Sequence, residues 1–124
     1  MIVSDFQYLD DLLLRRKLHD NGELFWVDRD YSVAFRLDGQ PLVYTVPAGT
    51  WTNLASIPRF VPAWVAQRID AVEPAVIHDH LCETKPWTSR VAADVFLAAM
   101  EESGIPWVRR RAMYRAVVLF GPRW

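Results

Sequence analysis

The run Tyr31-Ser32-Val33-Ala34-Phe35-Arg36-Leu37, the turn Asp38-Gly39-Gln40 and the run Pro41-Leu42-Val43-Tyr44-Thr45-Val46 decide the fold. Tyr31, Val33, Phe35 and Leu37 alternate with Ser32, Ala34 and Arg36, the period of a strand with one buried face. Asp-Gly between two such runs is a hairpin turn. Pro41 either opens the second strand or sits at a sheet edge, where its missing N–H costs nothing. Residues 31–46 are therefore read as a hairpin. Upstream, Leu24 to Asp28 follows the turn pair Asn21-Gly22 and is read as a third strand. Pro47-Ala48-Gly49 ends the sheet segment.

Downstream the pattern changes to helices. Pro58 and Pro62 keep residues 52–62 irregular, and Ala63 to Ile69 is a candidate short helix. Glu73-Pro74 reads as a helix start, with the helix running to about Glu83 and broken by Thr84-Lys85-Pro86. Thr88 or Ser89 caps the next helix, which runs to Ser103 and stops at Gly104. Pro106 opens a last helix ending near Phe120-Gly121-Pro122. The expected architecture is α+β: an N-terminal antiparallel sheet, hairpin plus third strand, packed against three to four C-terminal helices.

The 124 residues are 52% apolar and 13% aromatic, enough for a packed core and too apolar for wholesale disorder. Neither a repeat nor a linker divides them, so residues 1–124 are read as a single domain. With 14 basic against 15 acidic side chains the net charge is −1, which gives no support to general nucleic-acid or anionic-membrane binding. Cys82 is the only cysteine, which excludes an intrachain disulfide and a multi-cysteine zinc site. No apolar stretch approaches the roughly 20 residues of a membrane helix. The first residues, MIVSDFQYLDD, do not read as a signal peptide. These features lead us to expect a soluble protein of a reducing compartment.

The densest polar group is Ile77-His78-Asp79-His80-Leu81-Cys82. On a helix His78 and Cys82 share a face, while Asp79 points about 100° away toward Glu83. One such segment cannot aim every donor at one ion, so a metal site built on His78 and Asp79 needs a ligand from elsewhere. Asp94 is that candidate, because it lies within the apolar run Val91 to Leu97, where a carboxylate must be paired, hydrogen-bonded or metal-bound. The competing reading has Asp94 accepting hydrogen bonds from His78, Arg59 or a loop backbone. A His…His-Asp…Asp order, given by His19, His78-Asp79 and Asp94, also occurs in metal-dependent phosphohydrolases. Those enzymes are all-helical, whereas a sheet separates His19 from His78 here, which argues against that relationship.

The irregular stretch from Val46 to Arg59 contributes Thr52, Asn53, Ser56 and Arg59. Ser56 could be a nucleophile activated by His78 and oriented through Asp94, but no glycine-flanked elbow exposes it, and such residues commonly stabilise loops. Arg109-Arg110-Arg111, with Arg115 and Arg123, reads as a solvated helix face or a site for phosphate or an acidic partner. Trp51, Trp64, Trp87 and Trp107 neighbour loops or helix starts, where they clamp elements together or form a partner patch.

Taken in order, Val46-Pro47-Ala48-Gly49, Thr52-Asn53-Leu54-Ala55-Ser56-Ile57-Pro58-Arg59, Ala75-Val76-Ile77-His78-Asp79-His80-Leu81, Ser89-Arg90 with Ala93-Asp94, Met113-Tyr114-Arg115-Ala116-Val117 and Phe120-Gly121 with Trp124 form a pattern. It resembles the domain of unknown function 1353 family, small proteins found mostly in bacteriophages and prophages. The likeness covers roughly residues 30 to 124. The family pattern is a Thr-Asp-x-Ala-Ser-Ile-Pro loop, a His-Asp-x-Leu helix and a downstream Ala-Asp, matched here by Thr52, Ser56, Pro58, Arg59, His78, Asp79 and Asp94. The loop aspartate is Asn53 in this chain; its amide carbonyl still accepts a hydrogen bond, but it is a weaker ligand or base.

The resemblance implies a phage or prophage origin and no particular reaction. The first expectation is an accessory or virion-associated protein in the host cytoplasm or the virion, with phage or host proteins as partners and a structural His-Asp cluster. The alternative is a small, lysis-associated hydrolase. In it His78, Asp79, Asp94 and Ser56 are catalytic and Thr52, Asn53 and Arg59 bind substrate. His78, Asp79 and Asp94 are then the ligands of any divalent metal cofactor. A third, nucleotide or nucleic-acid binding through the terminal arginines, has no backing from net charge.

Overall fold

The computed structural model describes residues 1–19, 22–52 and 68–124. In chain order the elements are β1 (Val3–Tyr8), β2 (Leu14–His19), β3 (Gly22–Val27), β4 (Tyr31–Leu37), β5 (Gln40–Val46), β6 (Trp51–Thr52), α1 (Arg68–Thr84), α2 (Ser89–Glu102) and α3 (Trp107–Phe120). The α+β expectation holds, with two antiparallel sheets preceding three helices among the described residues.

The hairpin is β4–β5, in register from Tyr31↔Val46 to Leu37↔Gln40. Its two-residue turn has positive φ at both Asp38 (52°) and Gly39 (80°), the conformation that matches the twist of the flanking strands. Tyr31, Val33, Phe35 and Leu37 are buried, as the alternation requires. Pro41 lies in β5, an edge strand. The third strand of this sheet is not residues 24–28 but β1, giving the order β1-β4-β5. Strand β3 occupies the expected third-strand segment and belongs instead to a second sheet, β2-β3-β6.

The N-terminal strands escaped the sequence reading for local reasons. In β1 the pairing with β4 shifts between Ser4 and Gln7, and Asp5 has φ 52°. The irregularity interrupts the period of two. In β2 the charged residues Arg15, Arg16 and Lys17 outnumber the apolar ones. Pro47-Ala48-Gly49 is a turn that hands the chain to β6: Gly49 N–H donates to Val27 carbonyl at 2.7 Å, and Val27 N–H donates to Thr50 carbonyl at 2.9 Å.

Helix α1 starts at Arg68, earlier than the Glu73-Pro74 start read from sequence, and Pro74 lies inside it. Within this 17-residue helix the proline removes one ladder hydrogen bond and crowds the carbonyl four residues back, at a cost of about 3 kcal/mol, which the buried Ala75, Val76 and Ile77 beside it offset. The candidate helix over 63–69 falls outside the described residues except for its last two positions, which belong to α1. Thr88 caps α2, its hydroxyl accepting from Val91 N–H at 3.3 Å. Beyond its end, Ile105 N–H donates to Met100 carbonyl and Gly104 N–H to Glu101 carbonyl, with Gly104 at φ 76°, a Schellman cap.

Helix α2 is the centre of the helical part. Val91, Val95 and Ala99 pack with α1 residues Val76, Ile77 and Leu81 against the strand residues Phe6, Val33 and Phe35. Its Phe96 and Met100 pack with Ile105 and with Met113 of α3. Sheet and α3 thus meet opposite sides of the α1–α2 pair. At the C-terminus, Trp124 Nε1 donates to Trp87 carbonyl at 2.6 Å and Lys85 lies over the Trp124 ring. Among the described residues no helix is long and apolar enough to cross a membrane.

Candidate functional site

The His-Asp segment lies in the second half of α1, and its three polar side chains leave the helix in three directions. His78 points inward. It is only 3% exposed, its ring lies 5.0 Å from that of Phe96, and both ring nitrogens are 3.7 Å from Cys82 Sγ. The shared face of His78 and Cys82 is thus realised. Burial disfavours the imidazolium and lowers the His78 pKa from 6.5 to about 4. Burial, followed by the nearby Asp79 carboxylate, pushes the Cys82 thiol up to about 11. The pair is therefore thiol and neutral imidazole near pH 7, not the thiolate–imidazolium of a nucleophilic cysteine.

Asp79 turns toward the second sheet. Thr52, the last residue of β6, donates its hydroxyl to Asp79 Oδ2 at 2.6 Å. The bond joins α1 to the sheet where the chain leaves β6 toward Asn53, Ser56 and Arg59; those three lie outside the described residues. His80 faces the first sheet. Its Nδ1 is hydrogen-bonded to the Tyr44 hydroxyl of β5, which also contacts Thr84 Oγ1 at 3.1 Å. Burial lowers the His80 pKa and raises that of Tyr44. Sequence reasoning did not pair Tyr44 with His80, since the contact exists only once β5 lies against α1.

Asp94 is engaged elsewhere. Tyr114 of α3 donates its hydroxyl to Asp94 Oδ1 at 2.7 Å, and Arg90 Nε is 3.9 Å away, one helical turn back. Among the described residues its hydrogen-bond donor is thus tyrosine, in place of the expected His78; Arg59 and the loop lie outside the described residues. Burial and Asp94 together raise the Tyr114 pKa, so the phenol stays protonated and donating. Among the described residues no three His, Cys, Asp or Glu side chains converge as a metal-binding group. His78, Asp79 and Asp94 therefore do not form a ligand set by themselves.

The arginine run divides. Arg109 is buried, 8% exposed, which corrects its reading as part of a solvated face. Arg110 donates to Ile105 carbonyl at 3.1 Å. Arg111 and Arg115 are exposed on the outer side of α3, near exposed Trp107, Val108 and Leu119. Trp51 packs edge-on against Trp26 with centroids 4.6 Å apart, and Trp87 packs against Phe35. These two act as clamps, and Trp64 lies outside the described residues.

With this geometry in view, comparison with known proteins gives a family and one curated relative. The family described as "Protein of unknown function (DUF1353)" matches residues 27–117. "Uncharacterized protein y4jT" of Sinorhizobium fredii (strain NBRC 101917 / NGR234) is 34% identical over 107 residues, covering 85% of this chain and 31% of the relative. The chain thus spans less than a third of that relative's length. No solved structure matches it.

Proposed function

We propose, from the premise that this chain belongs to the DUF1353 family, that it is a non-catalytic accessory or virion-associated protein of phage or prophage origin. In this reading residues 1–124 act as one domain that binds other phage or host proteins, in the host cytoplasm or in the particle. The observation that carries the non-catalytic part is the division of the polar residues. Asp79 holds β6 through Thr52, Asp94 holds α3 through Tyr114, and His78 is a neutral, enclosed ring against Phe96. Side chains that join separate elements stabilise a fold, whereas catalysis needs them gathered around one reacting atom. The exposed Trp107, Val108 and Leu119 beside Arg111 and Arg115 supply an apolar and cationic face suited to a protein partner.

The hydrolase alternative rests on one observation. The Asp79 carboxylate meets the chain at Thr52, where the segment bearing Asn53, Ser56 and Arg59 begins. One experiment separates the two readings. Particles from an induced lysogen encoding this chain are purified on a density gradient and probed for it. In parallel, purified protein and Asp79→Asn are assayed on peptidoglycan and a phosphodiester with and without divalent metal. Presence in particles or in a complex with a phage or host protein, and no hydrolysis, is the expected result. A free monomer whose hydrolysis disappears in a well-folded Asp79→Asn variant would establish the hydrolase instead.

A further inference from the structure

Where α1, the first turn of α2 and the last turn of α3 meet, there is a cavity of about 270 Å³. Its lining joins two cations, Arg90 and Arg123, with the Ser89 hydroxyl, the His78 ring and the apolar Val117 and Val118. Among the described residues no acidic side chain lines it. Ser89 and Arg90 begin α2, where backbone N–H groups find no acceptor within the helix and the macrodipole is positive.

Neither arginine is fully committed. Arg123 rests one nitrogen, Nη2, on the Val118 and Leu119 carbonyls at 3.4 and 3.3 Å. That holds its guanidinium at the end of α3 while other N–H groups of the five remain. The Arg90 guanidinium lies 5.9 Å from the centroid of the Tyr114 ring, which leaves its N–H edge open; its Nε stands 3.9 Å from Asp94 Oδ1, beyond hydrogen-bond range, and that oxygen already accepts from Tyr114. Planar guanidinium groups present paired donors that match the geometry of phosphate and carboxylate oxygens.

We propose that this cavity binds a small molecule carrying an oxyanion on a compact apolar body. The oxyanion sits between Arg90 and Arg123 near the Ser89 hydroxyl, and the apolar body lies against Val117 and Val118. The volume lies just below the usual range for ligand pockets, which suits a single-ring molecule. Such a site is independent of the partner surface on the outer side of α3.

The test is a titration of the full-length, nitrogen-15-labelled chain with phenyl phosphate and, separately, with benzoate, followed by amide chemical shifts. Saturable shifts are expected at Ser89, Arg90 and residues 117–123, excluding Pro122, which has no amide proton. Tighter binding of phenyl phosphate assigns a phosphate ester, and tighter binding of benzoate assigns a carboxylate. Arg90→Gln and Arg123→Gln each weaken binding about tenfold through loss of a charge-assisted hydrogen bond. Arg29→Gln, at an exposed position between β3 and β4, leaves it unchanged. The amide spectrum away from the cavity reports whether each variant is folded; if Arg123→Gln is not, Arg90→Gln carries the comparison. The proposal is overturned if neither probe gives saturable shifts, or if Arg29→Gln weakens binding as much as the folded cavity variants do.

Discussion

At the scale of single residues, His78 holds a neutral imidazole that is almost wholly buried. Its pKa falls from 6.5 to about 4 on folding, so the unfolded chain binds the extra proton first. Stability is therefore full above pH 6.5 and declines as pH falls toward 4, by on the order of 3 kcal/mol from this group alone. Urea denaturation from pH 7.5 to pH 4.5 will show that decline, and His78→Gln will show a shallower one. Equal slopes would mean that the ring titrates normally in the folded protein. Asp79 makes a different prediction. A double-mutant cycle of Asp79→Ala with Thr52→Val will give a coupling of about 1–3 kcal/mol, as for a hydrogen bond to a charged group. Simple additivity would show that the 2.6 Å contact contributes nothing to holding β6 on α1. Both residues were singled out from the sequence, by helical spacing and by the family pattern. Their partners were less legible. Cys82 follows from i,i+4 geometry, but Thr52 pairs with Asp79 across 27 positions, a separation no local rule spans.

At the scale of elements, what could be read was what local chemistry encodes. Asp38-Gly39 determines its hairpin turn through positive φ, and Thr88 and Gly104 bracket α2 through their caps. Gly104→Ala tests this encoding directly. A Cβ at this position meets nothing within 4 Å, so the cost is confined to the φ of 76° and amounts to about 1 kcal/mol. Gly104→Asn will cost less, because asparagine tolerates that region better. Thermal unfolding of the two variants gives the comparison, and equal loss would point to a cause other than backbone conformation. The strands that were missed lack such local marks. A register shift hides the alternation of β1, and a charged run masks β2. The assignment of β3 to a second sheet depends on β6, only two residues long, which no periodicity announces. The start of α1 was displaced because Pro74 resembles a first-turn proline and lies within the helix.

At the scale of the whole molecule, two apolar clusters raise the question of whether the chain folds as one unit. The larger joins both hairpin strands and β1 to α1 and α2; the smaller joins α1 and α2 to α3. They are not separable, because α1 and α2 contribute to both. Ile77 and Val95 face the sheet side, while Ala75 and Phe96, only one or two positions away, face the other. Loss of packing at α3 is therefore transmitted through α2 to the sheet. Met113, fully buried in the smaller cluster, is the position to perturb. Met113→Ala removes a buried side chain and will cost about 2–5 kcal/mol. Because the clusters share two helices, the variant will still unfold in one transition, with tryptophan fluorescence and far-ultraviolet circular dichroism coinciding. Trp26 and Trp51 lie in the second sheet, and Trp87 packs on the first. In a chain that also carries Trp64→Phe, Trp107→Phe and Trp124→Phe, which leaves these three tryptophans, fluorescence thus follows the sheets while dichroism weights the helices. If the dichroism transition moves to lower denaturant and the fluorescence transition stays put, the helices and sheets are separate folding units. A joint shift of both probes would support the reading of residues 1–124 as one domain.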